Sequence, residues 1–305
     1  MKAEPTVLFD APGPKARALY RVIAVIGVVI LLGIIALVIR GLANPDNNQL
    51  TAEKWVPFVE AESWTAYLIP GLIGTLQAAA ISVVLAIILG LILGMGRLSE
   101  VRVLRIASGA FVEFFRAVPV LVMMFFAYYF GLYILKISGS QLPLFGVVVG
   151  LTFYNASVIA ELIRSGVGSL PRGQREAGLA VGMTPTQTLT AVLLPQAVTA
   201  MLPSIISQLV VILKDSALGY AINYLELLRA GQNLATFRGN LIPTLIVLAA
   251  IYIVINYGLT KLASAVEQRL RTGKRGIRAQ PPDPLETGGG APGAAIGVGA
   301  AAGDG

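Results

Sequence analysis

Residues 176–197 read EAGLAVGMTPTQTLTAVLLPQA, a segment that opens on a glutamate, places Gly182 six residues later and closes on Leu194-Pro195. The pattern is that of two short helices joined by a turn. Gly182 can end the first, because a residue without Cβ takes a left-handed conformation at low steric cost. Thr184 can cap the second, with Pro185 at its first helical position, where a missing N–H is no loss. Leu189, Val192 and Leu193 give that second helix apolar positions. Upstream, Pro171 and Gly173 mark a break in the chain. Geometry alone leaves two readings: a protruding knob on which another protein docks, or an amphipathic loop resting on a bilayer.

A bilayer enters because of what surrounds the segment. The chain has 305 residues, 56% hydrophobic and 13% charged, about half the ~25% charge of a soluble domain. A helix that crosses the ~30 Å hydrocarbon layer needs about 20 apolar residues. Six stretches qualify: 22–39, 67–95, 117–135, 137–160, 197–213 and 239–260. The fold class expected is therefore all-α, a polytopic membrane protein with six transmembrane helices. The quoted segment lies between the fourth and fifth.

Basic residues gather on alternate loops. Lys2, Lys15, Arg17 and Arg21 precede the first stretch, while residues 41–65 after it hold Asp46, Glu53, Glu60 and Glu62 against Lys54 alone. Arg97, Arg102 and Arg105 follow the second, and Arg164, Arg172 and Arg175 the fourth. Positive charge is retained on the cytoplasmic side, so a multi-pass protein of a bacterial plasma membrane is expected, both termini cytoplasmic. The expected organisation is a cytoplasmic tail at 1–21, a transmembrane helix at 22–39, an extracytoplasmic loop at 40–66, a membrane core at 67–270 and a disordered cytoplasmic tail rich in Gly, Ala and Pro at 271–305. Arg40 and the acids upstream argue against reading 22–39 as a cleaved signal peptide.

Several chemistries are excluded. The chain has no cysteine and no histidine, which removes disulfides, thiolate or imidazole metal sites and histidine proton relays. The net charge of +7 follows from topology. No basic run is interleaved with aromatics, so nucleic acid is not expected as a partner. No G-x-x-x-x-G-K-[ST] is present; Gly273-Lys274 is followed by Arg275. The chain therefore lacks the loop that cradles nucleotide phosphates.

Glu176-Ala177-Gly178, three residues, Gly182, and then Leu194-Pro195 resembles the Glu-Ala-Ala loop of ABC importer permeases. Gly178 departs from the family's usual alanine and should soften the first helix. Glu113, Arg116 and Pro119 resemble the segment leading into the following span in permeases of the polar amino-acid (His/Glu/Gln/Arg/Lys) uptake family. Lys214-Asp215-Ser216 matches a further motif, and the chain looks most like the actinobacterial glutamate-type members. The resemblance covers roughly residues 67–270. It implies a five-helix type I importer core, with 22–39 as an additional helix, and a glutamate- or glutamine-like substrate. It implies that the loop grips a separate ABC ATPase dimer, which uses the ATP and Mg, and that this chain binds no cofactor. A second permease chain, the same or homologous, an extracytoplasmic solute-binding protein and membrane lipid complete the expected assembly.

Some polar residues keep two readings. Asn155 either lines the substrate path or hydrogen-bonds a neighbouring helix. Lys214, Asp215 and Ser216 lie either at the mouth of the path or in an ion pair that anchors a helix end. Glu113 with Arg116, and Glu161 with Arg164, stand three apart and read as structural pairs. The rival class is an ion-coupled secondary transporter, which would carry ionisable groups inside its spans; the spans here hold almost none.

Overall fold

The structure, a computed structural model, describes residues 13–44 and 48–272. The ends of the chain, including the tail read as disordered and Gly273-Lys274, lie outside the described residues. Nine helices of eight or more residues carry the fold, and no strand forms among the described residues. They are α1 (Pro14–Leu42), α2 (Ile69–Leu98), α3 (Arg102–Ala117), α4 (Val120–Tyr133), α5 (Gln141–Gly168), α6 (Arg172–Ala180), α7 (Leu194–Asp215), α8 (Leu227–Arg238) and α9 (Leu241–Thr272).

Five helical runs are long and apolar enough to cross a membrane, and a sixth if α3 and α4 are taken as one broken span. The third expected span is the one that changes. Residues 117–135 do not form one rod, because α3 and α4 meet at an angle of 105°. Pro119 has no N–H to continue the helix, and it forces Val118 out of the helical region to ψ 130°. The 14 residues of α4 then extend roughly 21 Å at about 1.5 Å per residue, short of a full crossing.

Two other prolines act differently. Pro70 and Pro195 each follow a π-helical turn, Trp64–Leu68 and Thr188–Leu193 respectively. A proline ring clashes with the carbonyl four residues earlier. Those carbonyls, on Ala66 and Ala191, sit inside the wide turns, so the helix bulges and continues. The second span thus runs unbroken over Ala61–Leu98, and the fifth over Pro185–Ile222, 38 residues each.

The core forms where α2, α4, α5 and α7 meet, around Ala78, Ala86, Met124, Leu151, Ile159 and Ile212. α2 and α5 pack closely. A Cβ on Gly90 would stand 2.7 Å from Ile159 Cγ2, and one on Gly94 would stand 3.1 Å from Ile163 Cβ. Small residues let two membrane helices approach to dispersion contact.

At the end of the bundle away from residues 172–193, the segment 48–66 is folded. Gln49 Nε2 donates to the Gly239 carbonyl at 3.4 Å, Asn240 Nδ2 donates to the Lys54 carbonyl at 3.0 Å, and Arg238 pairs with Glu60 at 2.5 Å. The helix α1 differs from all the others, because none of its apolar window is buried.

Candidate functional site

The segment 172–193 folds as two helices crossing at one point. α6 ends in a Schellman motif: the Met183 N–H donates to the Gly178 carbonyl at 3.1 Å and the Gly182 N–H to the Leu179 carbonyl at 3.0 Å. Gly182 supplies the required φ of +85°. Two residues later Thr184 opens the second helix with a capping box. Its Oγ1 accepts from the Gln187 N–H at 3.2 Å, and Gln187 Oε1 accepts from the Thr184 N–H at 2.8 Å.

Gly178 is the crossing point. A Cβ there would lie 2.7 Å from Thr188 Cγ2 and 2.9 Å from its Oγ1. Both residues are buried. The sequence suggests a merely softened helix at Gly178; the structure gives it a packing reason. Gln196 Nε2 donates to Gln174 Oε1 at 3.1 Å, so α6 is tied both to the π turn and to the first turn of α7. Glu176 and Ala177 face outward, as do Leu179, 41% exposed, and Val181, 77% exposed. Leu194 is half-buried and Pro195 exposed at the base. The outward tip therefore combines a carboxylate with two bare apolar side chains, a surface water does not favour. Leu179 and Val181 have no motif position of their own; their signal was two large apolar residues beside the turn glycine.

Where α2, α3 and α5 converge above this segment, charges cluster. Glu161 receives Arg164 at 2.5 Å, Arg97 at 2.7 Å and Arg116 at 3.9 Å, while Arg97 also pairs with Glu113 at 3.0 Å. The Glu161–Arg164 pair forms as its spacing suggests. The Glu113–Arg116 pair does not, and this corrects the local reading. Glu113 turns instead to Arg97 on α2, and Arg116 to Glu161 on α5. Arg97 is only 14% exposed, and sequence spacing cannot reveal a partner that comes from another helix.

Deeper in the bundle, Asn155 is fully buried. Its Nδ2 donates to the Leu151 carbonyl at 2.7 Å, and its Oδ1 accepts from Gln208 Nε2 of α7 at 2.6 Å. Asn155 thus hydrogen-bonds a neighbouring helix. Lys214, Asp215 and Ser216 lie 20 residues or more beyond Leu194, roughly 30 Å along the axis, at the end away from the tip. Lys214 is exposed and Asp215 half-buried. They form no salt bridge within 4.0 Å among the described residues, since neighbours in a helix point about 100° apart. Ser216 is buried and donates to the Leu213 carbonyl at 2.7 Å. The helix-end ion pair is therefore not formed.

Glu226 is a site residue that the sequence conceals. It is fully buried and caps α8, accepting from the Leu228 and Arg229 N–H groups at 2.7 and 2.6 Å and from the Tyr252 hydroxyl at 3.1 Å. Burial pushes its carboxyl up to about 7 against the lowering effect of those donors. Beside it, Tyr224 donates to the Gly74 carbonyl at 2.8 Å and Thr75 Oγ1 accepts from the Leu227 N–H at 3.0 Å. A Cβ on Gly74 would run into the Leu225 carbonyl, so the glycine lets this turn lie on α2.

Comparison with known proteins gives consistent matches. Residues 86–272 match the family model described as "Binding-protein-dependent transport system inner membrane component". The chain is 50% identical over 244 residues to the glutamate transport system permease protein GluD of Corynebacterium glutamicum, covering 79% of this chain and 89% of that one. It is 34% identical over 208 residues to the probable glutamine ABC transporter permease protein GlnP of Bacillus subtilis, covering 67% and 94%. Among solved structures it resembles a chain from a crystal structure of an amino acid ABC transporter with histidines. The TM-score is 0.62 and the identity 26%, over 70% of this chain and 98% of that one.

Proposed function

The chain belongs to the family of inner membrane components of binding-protein-dependent transport systems, and from that premise we propose how its geometry moves a substrate. It is a multi-pass permease of an amino-acid ABC importer in the cell membrane. The substrate is glutamate or a similar polar amino acid such as glutamine. The 50% identity to a glutamate permease supports this choice.

The observation that carries the mechanism is the outward tip of α6, where Glu176, Leu179 and Val181 are exposed beside Gly182. This tip seats in an ATPase subunit on the cytoplasmic side. Both termini face the cytoplasm, and the acidic segment 48–66 faces outward toward a solute-binding protein. The sequence has no phosphate-binding loop, so ATP and Mg are used by the partner. A dimeric ATPase needs two such tips, hence a second permease chain. Displacement of the tip reaches the bundle through two rigid links. One is the Gly178–Thr188 contact, and the other is the Gln174–Gln196 hydrogen bond into α7. Because Pro185–Ile222 is one helical run, motion at the tip moves the far end near Lys214, Asp215 and Ser216. Access then alternates between the two sides. Ion-coupled transport gains no support, since the family is one of binding-protein-dependent systems.

Co-purification tests the reading. The wild-type chain, drawn from its native membrane in mild detergent, should bring down an ATPase subunit. Glu176→Lys and Gly182→Trp should lose it at equal membrane abundance. Both variants supporting wild-type glutamate uptake would sink the coupling role.

A further inference from the structure

A cavity of about 640 Å³ lies between the end of α2, the start of α3, the end of α5 and the α6 segment. It lies on the other side of this segment from the exposed Leu179 and Val181, neither of which lines it. Ile92, Leu104, Leu189 and Leu193 give it a largely apolar lining, which also includes Glu100, Arg164 and the exposed Arg172 and Arg175. Arg175 meets Glu100 only at 3.8 Å, with both side chains more than half exposed. Arg172 pairs with no carboxylate among the described residues. Two positive charges therefore stand over an apolar hollow with little to neutralise them.

The hollow does not stop at the bundle's edge. Ile92 also lines a second groove of about 300 Å³ between α2 and α5, formed by Leu85, Ile88, Val148, Val149 and Phe153 among others. Leu85, Ile88 and Ile92 are 42%, 52% and 61% exposed, on helices that cross the membrane. From Leu85 to Leu98 the path follows α2 for roughly 20 Å at about 1.5 Å per residue. That is comparable with one leaflet of a hydrocarbon layer ~30 Å thick. A cavity with an excess of positive charge in its lining, at the end of the membrane helices, thus continues into an apolar groove about one acyl chain long. A free anion would leave the channel empty, and a neutral lipid would leave the arginines unpaired.

We propose that this cavity and groove hold one anionic phospholipid of the cytoplasmic leaflet, with its phosphate at Arg172 and Arg175 and an acyl chain running past Ile92 between α2 and α5. The site lies beside the coupling segment, so a bound lipid braces α6 against α2. The assignment of the leaflet rests on the proposed orientation, but lipid binding itself does not.

The test uses the full-length chain in nanodiscs made from equal parts phosphatidylglycerol and phosphatidylcholine, released into native mass spectrometry to count the lipids retained. Phosphatidylglycerol should be retained in preference to phosphatidylcholine. Removing both charges in Arg172→Gln/Arg175→Gln should weaken retention roughly thirtyfold, the effect of two membrane-facing positive charges. Arg102→Gln/Lys261→Gln, the same loss of charge outside the cavity, should leave retention unchanged. Ile88→Trp, which places an indole in the groove and alters no charge, should also reduce it. Equal losses from the two charge pairs, equal retention of the two lipids, or full retention in both the arginine and tryptophan variants would overturn the site. Orientation is read separately: the chain has no cysteine, so Ser169→Cys should react with an impermeant maleimide only from the cytoplasmic side.

Discussion

Gly178 decides how the two helices of the segment 172–193 meet, and a single methyl tests it. Gly178→Ala would place a Cβ 2.7 Å from Thr188 Cγ2, an overpacking expected to cost about 1–3 kcal/mol. Thr188→Ala removes both offending atoms, so the double variant should regain most of the loss in thermal midpoint and in uptake. Additive losses in that double-mutant cycle would mean that the contact is not the reason for the glycine. Glu226 makes a second prediction, in pH. Its folded carboxyl lies near 7 against an ordinary 4.5, so the folded protein binds the proton more tightly than the unfolded chain. Its contribution to stability is greatest below pH 4.5 and is lost as pH rises through 7, by at most roughly 3 kcal/mol. Thermal midpoints across that window should fall in wild type relative to Glu226→Gln, and parallel curves would refute the assignment. These two residues also mark a limit of sequence reading. Gly182 and Thr184 act through their own turn and cap, so a few adjacent letters reveal them. Gly178 acts through Thr188, and Glu226, beyond its own helix cap, through Tyr252 and burial, which no local spacing encodes.

Helical elements show the same division. Apolar length locates most of the spans, because hydrocarbon thickness alone sets that requirement. It fails at residues 117–135, where summed hydrophobicity is blind to chain direction and Pro119 turns the chain through 105°. Pro195 leaves the helix continuous by widening the turn before it. Pro195→Ala removes the clash that keeps this turn wide, so the turn should relax to α-helix. Losing one residue of bulge rotates everything before it by about 100° relative to α7. The rotation would break the registration of Gln174 with Gln196. The expected result in proteoliposomes is ATP hydrolysis that persists with much less amino acid moved per ATP, at undiminished thermal stability. Unchanged stoichiometry would make the π turn a mere accommodation of the proline. The charge cluster ties elements in another way. Glu161→Gln leaves Arg97, 14% exposed, without its closest counter-charge, which should cost about 1–3 kcal/mol. Arg164→Gln, at a side chain 45% exposed, should cost at most about 1 kcal/mol. Chemical denaturation that ranks them in reverse would place the anchor at the helix surface.

At the scale of the whole molecule, the question is what α1 contributes. The family match begins at residue 86, the core clusters contain no residue of α1, and its apolar window is wholly unburied. Residues 48–66 hold their place without it, through the contacts of Gln49, Lys54 and Glu60 with Gly239, Asn240 and Arg238 where α8 gives way to α9. A chain beginning at residue 48 should therefore keep the bundle's thermal midpoint to within about 2 °C, a change of about 1 kcal/mol or less for a protein of this size. Insertion is a different matter. Without α1 and the Lys15, Arg17 and Arg21 of its first turns, the acidic segment 48–66 must, in the proposed orientation, itself cross the membrane, with little positive charge left behind to set direction. The truncated chain should thus reach the membrane in lower amount, and some of it inverted, as labelling of Ser169→Cys from the two sides would reveal. A correctly inserted fraction that melts far below wild type would show that α1 packs on the bundle after all. Normal insertion with normal stability would leave the topogenic role without support. The combination of poor insertion and intact stability is the one that follows from a helix exposed on every side with positive charge in its first turns. α1 would then direct the core into the membrane without belonging to it.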